Sequence, residues 1–359
     1  MHYPVRPEVM RLKPYVPGLS VATVRQQYGL NRIAKLASNE NPLGPSPRAI
    51  AAIRESAAAG HIYPEPVAGP LRATLAGHLG LPEDWVMAGN GSDELLRLLA
   101  AAYVHPGDRV VVPGGSFPNY RAVSELFSAA VLEVPLKAEA MDLEAMADLA
   151  PDARFIFLCS PNNPTGAVFT AESFRRFLAA VPQETLIVWD QAYYEFDETA
   201  FDAVALLPDH PNLILTRTFS KAYGLGGLRI GYGMARPELW APLYMVREPF
   251  SINAPAQAAA LAALADQEHL AATLANNRAG RAFLEQTASD LGLTWAPSRA
   301  NFLFIDLGQP AEPVFRELLK HGVIVRPCGG FGRPNCIRVT AGLPADNALF
   351  AGALREVLR

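Results

Sequence analysis

Short, mainly apolar runs at residues 109–112, 155–158, 186–189 and 213–216 are each separated from the next by enough chain to form a helix. A strand with no polar alternation has to be buried on both faces, which is the condition of a largely parallel sheet covered by helices. Helix-like stretches at 47–59, 70–79 and 92–103 lead into this pattern. The expected fold class is therefore α/β. At 359 residues the chain is long enough for about two domains, and its 50% apolar content can fill a sizeable core.

Prolines mark the divisions: the chain has 31 of them, a higher share than the ~5% of average proteins. Pro4, Pro7, Pro14 and Pro17 predict an extended arm over the first 20 residues, since each restricts its own φ and disfavours helix in the residue before it. A second break spans 249–255, followed by an alanine-rich helix candidate at 256–265. Beyond it, strand-like runs at 301–305, 323–325 and 337–340 alternate with two helical segments. This predicts an arm contributing to a small domain over 1–35, a large domain over 36–249, and a smaller α+β domain over 250–359.

Several functions are excluded on charge and composition. The formal charge of −4, from 31 basic and 35 acidic side chains, lacks the basic excess of a nucleic-acid binder. No apolar run approaches the ~18 residues of a membrane span, and the N-terminus lacks the order of a secretory signal, so a cytoplasmic location is expected. Cys159, Cys328 and Cys336 are an odd number with no C-x-x-C spacing, and the seven histidines are scattered. Neither disulfides nor a metal centre is expected.

The residues that carry chemistry lie in loops after the apolar runs. Lys221 follows the run ending at Thr216, inside a glycine-rich stretch. A lysine held there among small residues can meet an aldehyde at close range, and partial desolvation lowers its basicity enough for it to act as nucleophile and base. Gly224 and Gly226 after it are no dinucleotide fingerprint, because Arg229 stands where the last glycine belongs. Asp190 ends the run 186–189 at the sheet edge where open α/β folds bind ligands, and Tyr193 follows it. By itself Asp190 fits a helix cap equally well. In Gly89-Asn90-Gly91-Ser92-Asp93-Glu94, the last three residues open a helix whose free N–H groups suit a phosphate, although plain capping explains the same residues. Ser160-Pro161-Asn162-Asn163-Pro164-Thr165-Gly166 is a turn that can aim the Asn163 amide at a ligand oxygen.

A lysine, a carboxylate, an amide and a phosphate cradle are together the set that pyridoxal 5'-phosphate requires. With Lys35-Leu36-Ala37-Ser38-Asn39-Glu40-Asn41-Pro42, Tyr63-Pro64, Val325-Arg326 and Ile337-Arg338-Val339-Thr340, the ordered set resembles the fold-type-I, aspartate-aminotransferase-like enzymes along nearly the whole chain. The closer likeness is to the histidinol-phosphate aminotransferase branch. The resemblance implies a Schiff base on Lys221, a pyridinium pair from Asp190, ring-hydroxyl contacts from Asn163 and Tyr193, and Phe117 stacked on the ring. It places the phosphate on Ser92, Asp93, Ser220 and Arg229, with Tyr63 reaching in from a neighbouring subunit, and so implies a homodimer with shared active sites. Arg338 would receive the substrate carboxylate, Tyr15 would approach the substrate's distal end, and Asn39, Asn301 and Arg326 would line the pocket. The implied reaction converts L-histidinol phosphate and 2-oxoglutarate to imidazole-acetol phosphate and L-glutamate. Aminotransfer from aromatic or other amino acids, or decarboxylation of a phospho-amino acid, are the alternatives on the same scaffold. A non-catalytic effector module would need an appended DNA-binding segment, for which the roughly 35 residues ahead of the first motif leave no room. Three positions depart from the family pattern: Gln191 for glutamate, Ser251 for asparagine and Phe117 for a frequent tyrosine.

Overall fold

The computed structural model describes residues 4–12, 14 and 18–359. Its centre is a seven-stranded sheet in the order Val86–Gly89, Gly231–Met234, Leu213–Thr218, Leu186–Asp190, Ala153–Cys159, Arg109–Pro113, Ala130–Val134. Only Gly231–Met234 runs antiparallel to its neighbours. All four apolar runs are strands of this sheet, and each observed strand continues one or two residues past its run. The run 213–216 extends through Arg217 and Thr218 because Gly231 lies opposite Thr218 and offers no side chain to block the antiparallel neighbour. Register places Asp190 level with Cys159 on one side and Thr216 on the other, at the carboxyl edge of the parallel strands.

The smaller unit has a four-stranded antiparallel sheet, Arg326–Pro327, Cys336–Thr340, Phe302–Asp306, Thr294–Ala296. Beside it Ala34–Lys35 pairs in parallel with Val323–Ile324, which ties the start of the chain to its end. Arg326 is opposite Arg338, and Arg338 is opposite Phe304.

Three features differ from the sequence reading. The arm is not uniformly extended: Pro7–Arg11 is a short helix, with Pro7 at its first turn, where its missing N–H costs nothing, and acidic Glu8 beside it. Three helices, Gln267–Asp290, Ala311–Lys320 and Pro344–Val357, accompany the later strands instead of two. The first is distinct from Ala254–Leu264 because Asp266 caps it, accepting from the His269 N–H at 3.3 Å. The alanine-rich helix Ala254–Leu264, on the far side of the expected boundary at 250, buries Ala256, Ala259, Ala260 and Ala263 in the core of the larger unit. Among the described residues no helix is long and apolar enough to cross a membrane.

Candidate active site

Lys221 sits just past the strand Leu213–Thr218, and its Nζ donates to the Ser38 carbonyl at 3.2 Å. Burial, and after it the nearby Arg338 charge, push the amine down to about 8. Asp190 is buried at the end of its strand; its Oδ2 accepts from the Tyr120 hydroxyl at 2.8 Å and its Oδ1 from the Ala192 N–H at 3.1 Å. Burial raises this carboxyl to about 6, with the Tyr120 hydrogen bond pulling the other way. The Lys221 amine lies 5.9 Å from the centre of the Tyr193 ring. The Tyr193 hydroxyl accepts from Asn39 Nδ2 at 2.9 Å, and burial holds its pKa above the ordinary phenol value.

Asn39 is a hub. It is buried with φ +55°, a left-handed conformation asparagine tolerates better than most residues. Its N–H donates to Thr340 Oγ1 at 3.0 Å, and its carbonyl accepts from Asn301 Nδ2 at 3.0 Å. Expected as a pocket residue, Asn39 thus fixes the hydroxyl of Tyr193 and joins both units. Arg338 donates through Nη1 to Asn163 Oδ1 and through Nη2 to the Ala37 carbonyl at 2.7 Å, with its guanidinium 5.3 Å above the Phe302 ring. Arg326 is half-buried opposite it on the neighbouring strand.

The helix Ser92–Tyr103 begins at Gly91, which supplies no side-chain cap for the first-turn N–H groups. Arg229 Nη1 reaches Ser220 Oγ at 3.4 Å, and its Nη2 reaches Asp93 Oδ2 at 3.3 Å. Uncapped N–H groups, a hydroxyl and a guanidinium converging at a helix N-terminus form an anion cradle. Two glycines keep it open: a Cβ on Gly91 would lie 2.7 Å from Arg229 Nη2, and one on Gly231 would lie 2.5 Å from the Ser92 nitrogen. Since the latter clash is with main chain and cannot be relieved by a rotamer, Gly231→Ala should cost about 3 kcal/mol or more of stability. Thermal denaturation checks this, and a wild-type midpoint would show that the cradle can yield.

The expected residues therefore separate into groups. Tyr193 and Asn301 are hydrogen-bonded to Asn39, Asn163 is bonded to Arg338, Lys221 and Asp190 are held separately by the Ser38 carbonyl and the Tyr120 hydroxyl, and Ser92, Asp93, Ser220 and Arg229 form the cradle. Phe117 is partly buried and meets Tyr120 edge-on at 5.5 Å. Tyr63 stands 79% exposed, stacked on Phe250 at 4.7 Å. Tyr15 lies outside the described residues.

The departures at 191 and 251 have structural accounts. Gln191 accepts from Arg217 Nε at 2.9 Å, and the counter-charge is supplied by Glu195, a carboxyl raised to about 7 by burial and drawn back by Arg217. Arg217 also lies over the Tyr194 ring, 3.5 Å from its centre. Ser251 donates to Glu94 Oε2 at 3.1 Å and accepts from Arg247 Nε at 3.0 Å. Sequence reasoning missed Tyr120 and Thr340. Tyr120 follows Phe117 by three positions, a spacing that becomes informative only once a helix is known to start at Asn119. Among the described residues, no three His, Cys, Asp or Glu side chains are grouped to hold a metal.

Comparison with known proteins gives the same direction. The profile of the family described as aminotransferase class I and II matches residues 31–353. A histidinol-phosphate aminotransferase of Symbiobacterium thermophilum is 54% identical over 99% of this chain and 98% of its own. Histidinol-phosphate aminotransferase 2 of Pseudomonas fluorescens is 45% identical over 98% and 97%. Among solved structures, the histidinol-phosphate aminotransferase of Sinorhizobium meliloti in complex with pyridoxal-5'-phosphate superposes with a TM-score of 0.93, at 32% identity, covering 100% of this chain and 98% of that one.

Proposed function

The chain belongs to the class I and II aminotransferase family, and from that premise we propose that it transfers the amino group of L-histidinol phosphate to 2-oxoglutarate, giving imidazole-acetol phosphate and L-glutamate in histidine biosynthesis. The observation that carries the aminotransfer is Lys221 itself, an amine brought down to about 8, hydrogen-bonded to a main-chain carbonyl and within electrostatic reach of Arg338 and of Asp93 and Arg229 in the cradle.

Pyridoxal 5'-phosphate fits the side chains present. Lys221 would hold its aldehyde, Asp190 its ring nitrogen, Tyr193 and Asn163 its ring hydroxyl, Phe117 its ring face, and Ser92, Asp93, Ser220 and Arg229 its phosphate end. When bound, the cofactor supplies an electron sink for the charge released at the substrate Cα. The protein's part is positioning and proton transfer. Lys221 Nζ, neutral in a useful fraction near pH 7, takes the Cα proton and gives it back later in the exchange. Arg338, already oriented by Asn163 and Ala37, offers a planar fork to a substrate carboxylate, a task for which lysine's point charge is a poorer match. Asn39 keeps the Tyr193 hydroxyl in one direction.

The active form is a cytoplasmic homodimer in which Tyr63 of each subunit serves the neighbouring cradle. Its exposure and its stacking on Phe250 support that role, because an aromatic pair left to solvent is suited to burial against a partner.

The test is the visible absorption of the purified protein. Adding L-histidinol phosphate without keto acid should remove the yellow band of the bound cofactor, and 2-oxoglutarate should restore it. A band moved by an aromatic amino acid but not by L-histidinol phosphate would overturn the substrate assignment, and release of CO₂ from a phospho-amino acid would overturn the reaction.

A further inference from the structure

The short helix Asn119–Leu126 touches two ends of the site through its first turn. Asn119 Nδ2 donates to Asp93 Oδ1 at 2.9 Å, at the cradle. Tyr120 donates to Asp190 Oδ2 at 2.8 Å, at the far end. Phe117, immediately ahead, meets Tyr120 edge-on, and the Tyr120 ring is stacked on Phe157 with centres 5.2 Å apart and planes 11° from parallel. At 1% exposure the phenol is locked by packing on both sides, so its hydroxyl has one orientation to offer.

Asp190 needs that donor. The charged and titratable groups facing it are Asp93 on the helix Ser92–Tyr103, Cys159 on the adjacent strand, Tyr193 just beyond its own strand, and Tyr120. Asp93 repels the ionised form. The Cys159 thiol, pushed up to about 12, and both phenols are neutral at physiological pH and bring no positive charge. Ionised Asp190 therefore depends on hydrogen bonds. Ala192 at 3.1 Å and Thr216 at 3.4 Å serve Oδ1, whereas the short contact to Oδ2 comes from Tyr120.

We propose that Tyr120 is a positioning residue for the reaction: its hydroxyl holds the Asp190 carboxylate ionised and turned toward the place of the cofactor's ring nitrogen, and the run 117–120 fastens ring face, phosphate end and ring-nitrogen end from one helix start. This rests on the aminotransferase reading, but its decisive readout needs no cofactor. In cofactor-free protein carrying ¹³C-labelled aspartate, the Asp190 carboxyl resonance, identified by its loss in Asp190→Asn, should titrate at least one pH unit higher in Tyr120→Phe than in wild type. Equilibrium dialysis should show cofactor binding weakened roughly tenfold or more at pH 7.5. An unchanged Asp190 titration in folded Tyr120→Phe overturns the proposal. If that variant does not fold, the pair is read with Tyr120 intact: the Tyr120 ¹³Cζ resonance must shift as Asp190 ionises and lose that response in Asp190→Asn, and a resonance indifferent to both overturns it equally. A wild-type cofactor band indifferent to L-histidinol phosphate would instead count against the substrate reading and leave this pair standing.

Discussion

Lys221→Ala is expected to lower turnover by on the order of 10⁴-fold or more, because one amine serves as both nucleophile and proton carrier. With its pKa brought to about 8, roughly a tenth of the amine is neutral at pH 7, against a few parts in ten thousand for a lysine at the ordinary 10.5. The sign follows from the cause. Burial disfavours the charged form, so cofactor capture by wild-type protein should quicken as pH rises through about 8 and level off above it. Stopped-flow absorbance checks that profile. Lys221→Arg retains a charge near Arg338 but cannot become neutral, and should be as inactive as the alanine variant. A small primary amine added to Lys221→Ala should restore part of the proton transfer. Full activity without such an amine would remove Lys221 from the mechanism.

The strands were readable because burial on both faces leaves a purely local signature: residues 186–189 can be nothing but apolar when Ile187 and Val188 are fully buried in the sheet. The loops at their carboxyl ends were readable for a related reason, since glycine, proline and an isolated charge are unusual directly after such a run. What stayed hidden depends on register and on long-range contact. Asn39 meets Thr340 and Tyr193 across separations of 301 and 154 residues, and no window of sequence contains that network. Tyr120 reads as one more aromatic on an amphipathic helix, and its partner 70 residues away makes it something else. The helix at Pro7–Arg11 is hard to read because a proline inside a helix breaks it, whereas one at the first turn starts it.

Asp190→Asn should divide stability from function. A carboxyl raised from 3.8 to about 6 in the folded protein binds its proton more tightly there than in the unfolded chain. Its ionisation therefore costs the cofactor-free protein stability. That cost is absent below pH 3.8, grows between 3.8 and about 6, and is complete above, reaching about 3 kcal/mol at 1.36 kcal/mol per pH unit. An asparagine keeps the shape and can accept from Ala192 without carrying charge. In the cofactor-free state the variant should thus melt several degrees above wild type at pH 7.5 and lose that advantage near pH 4. With cofactor present the order reverses in function: no anion remains to keep the ring nitrogen protonated, and the rate should fall on the order of 10²- to 10³-fold. Melting curves at the two pH values and a single-turnover assay check both halves. A variant with wild-type turnover and no gain in cofactor-free stability would show that the strain stored at the end of the strand Leu186–Asp190 is not what the ring nitrogen relieves.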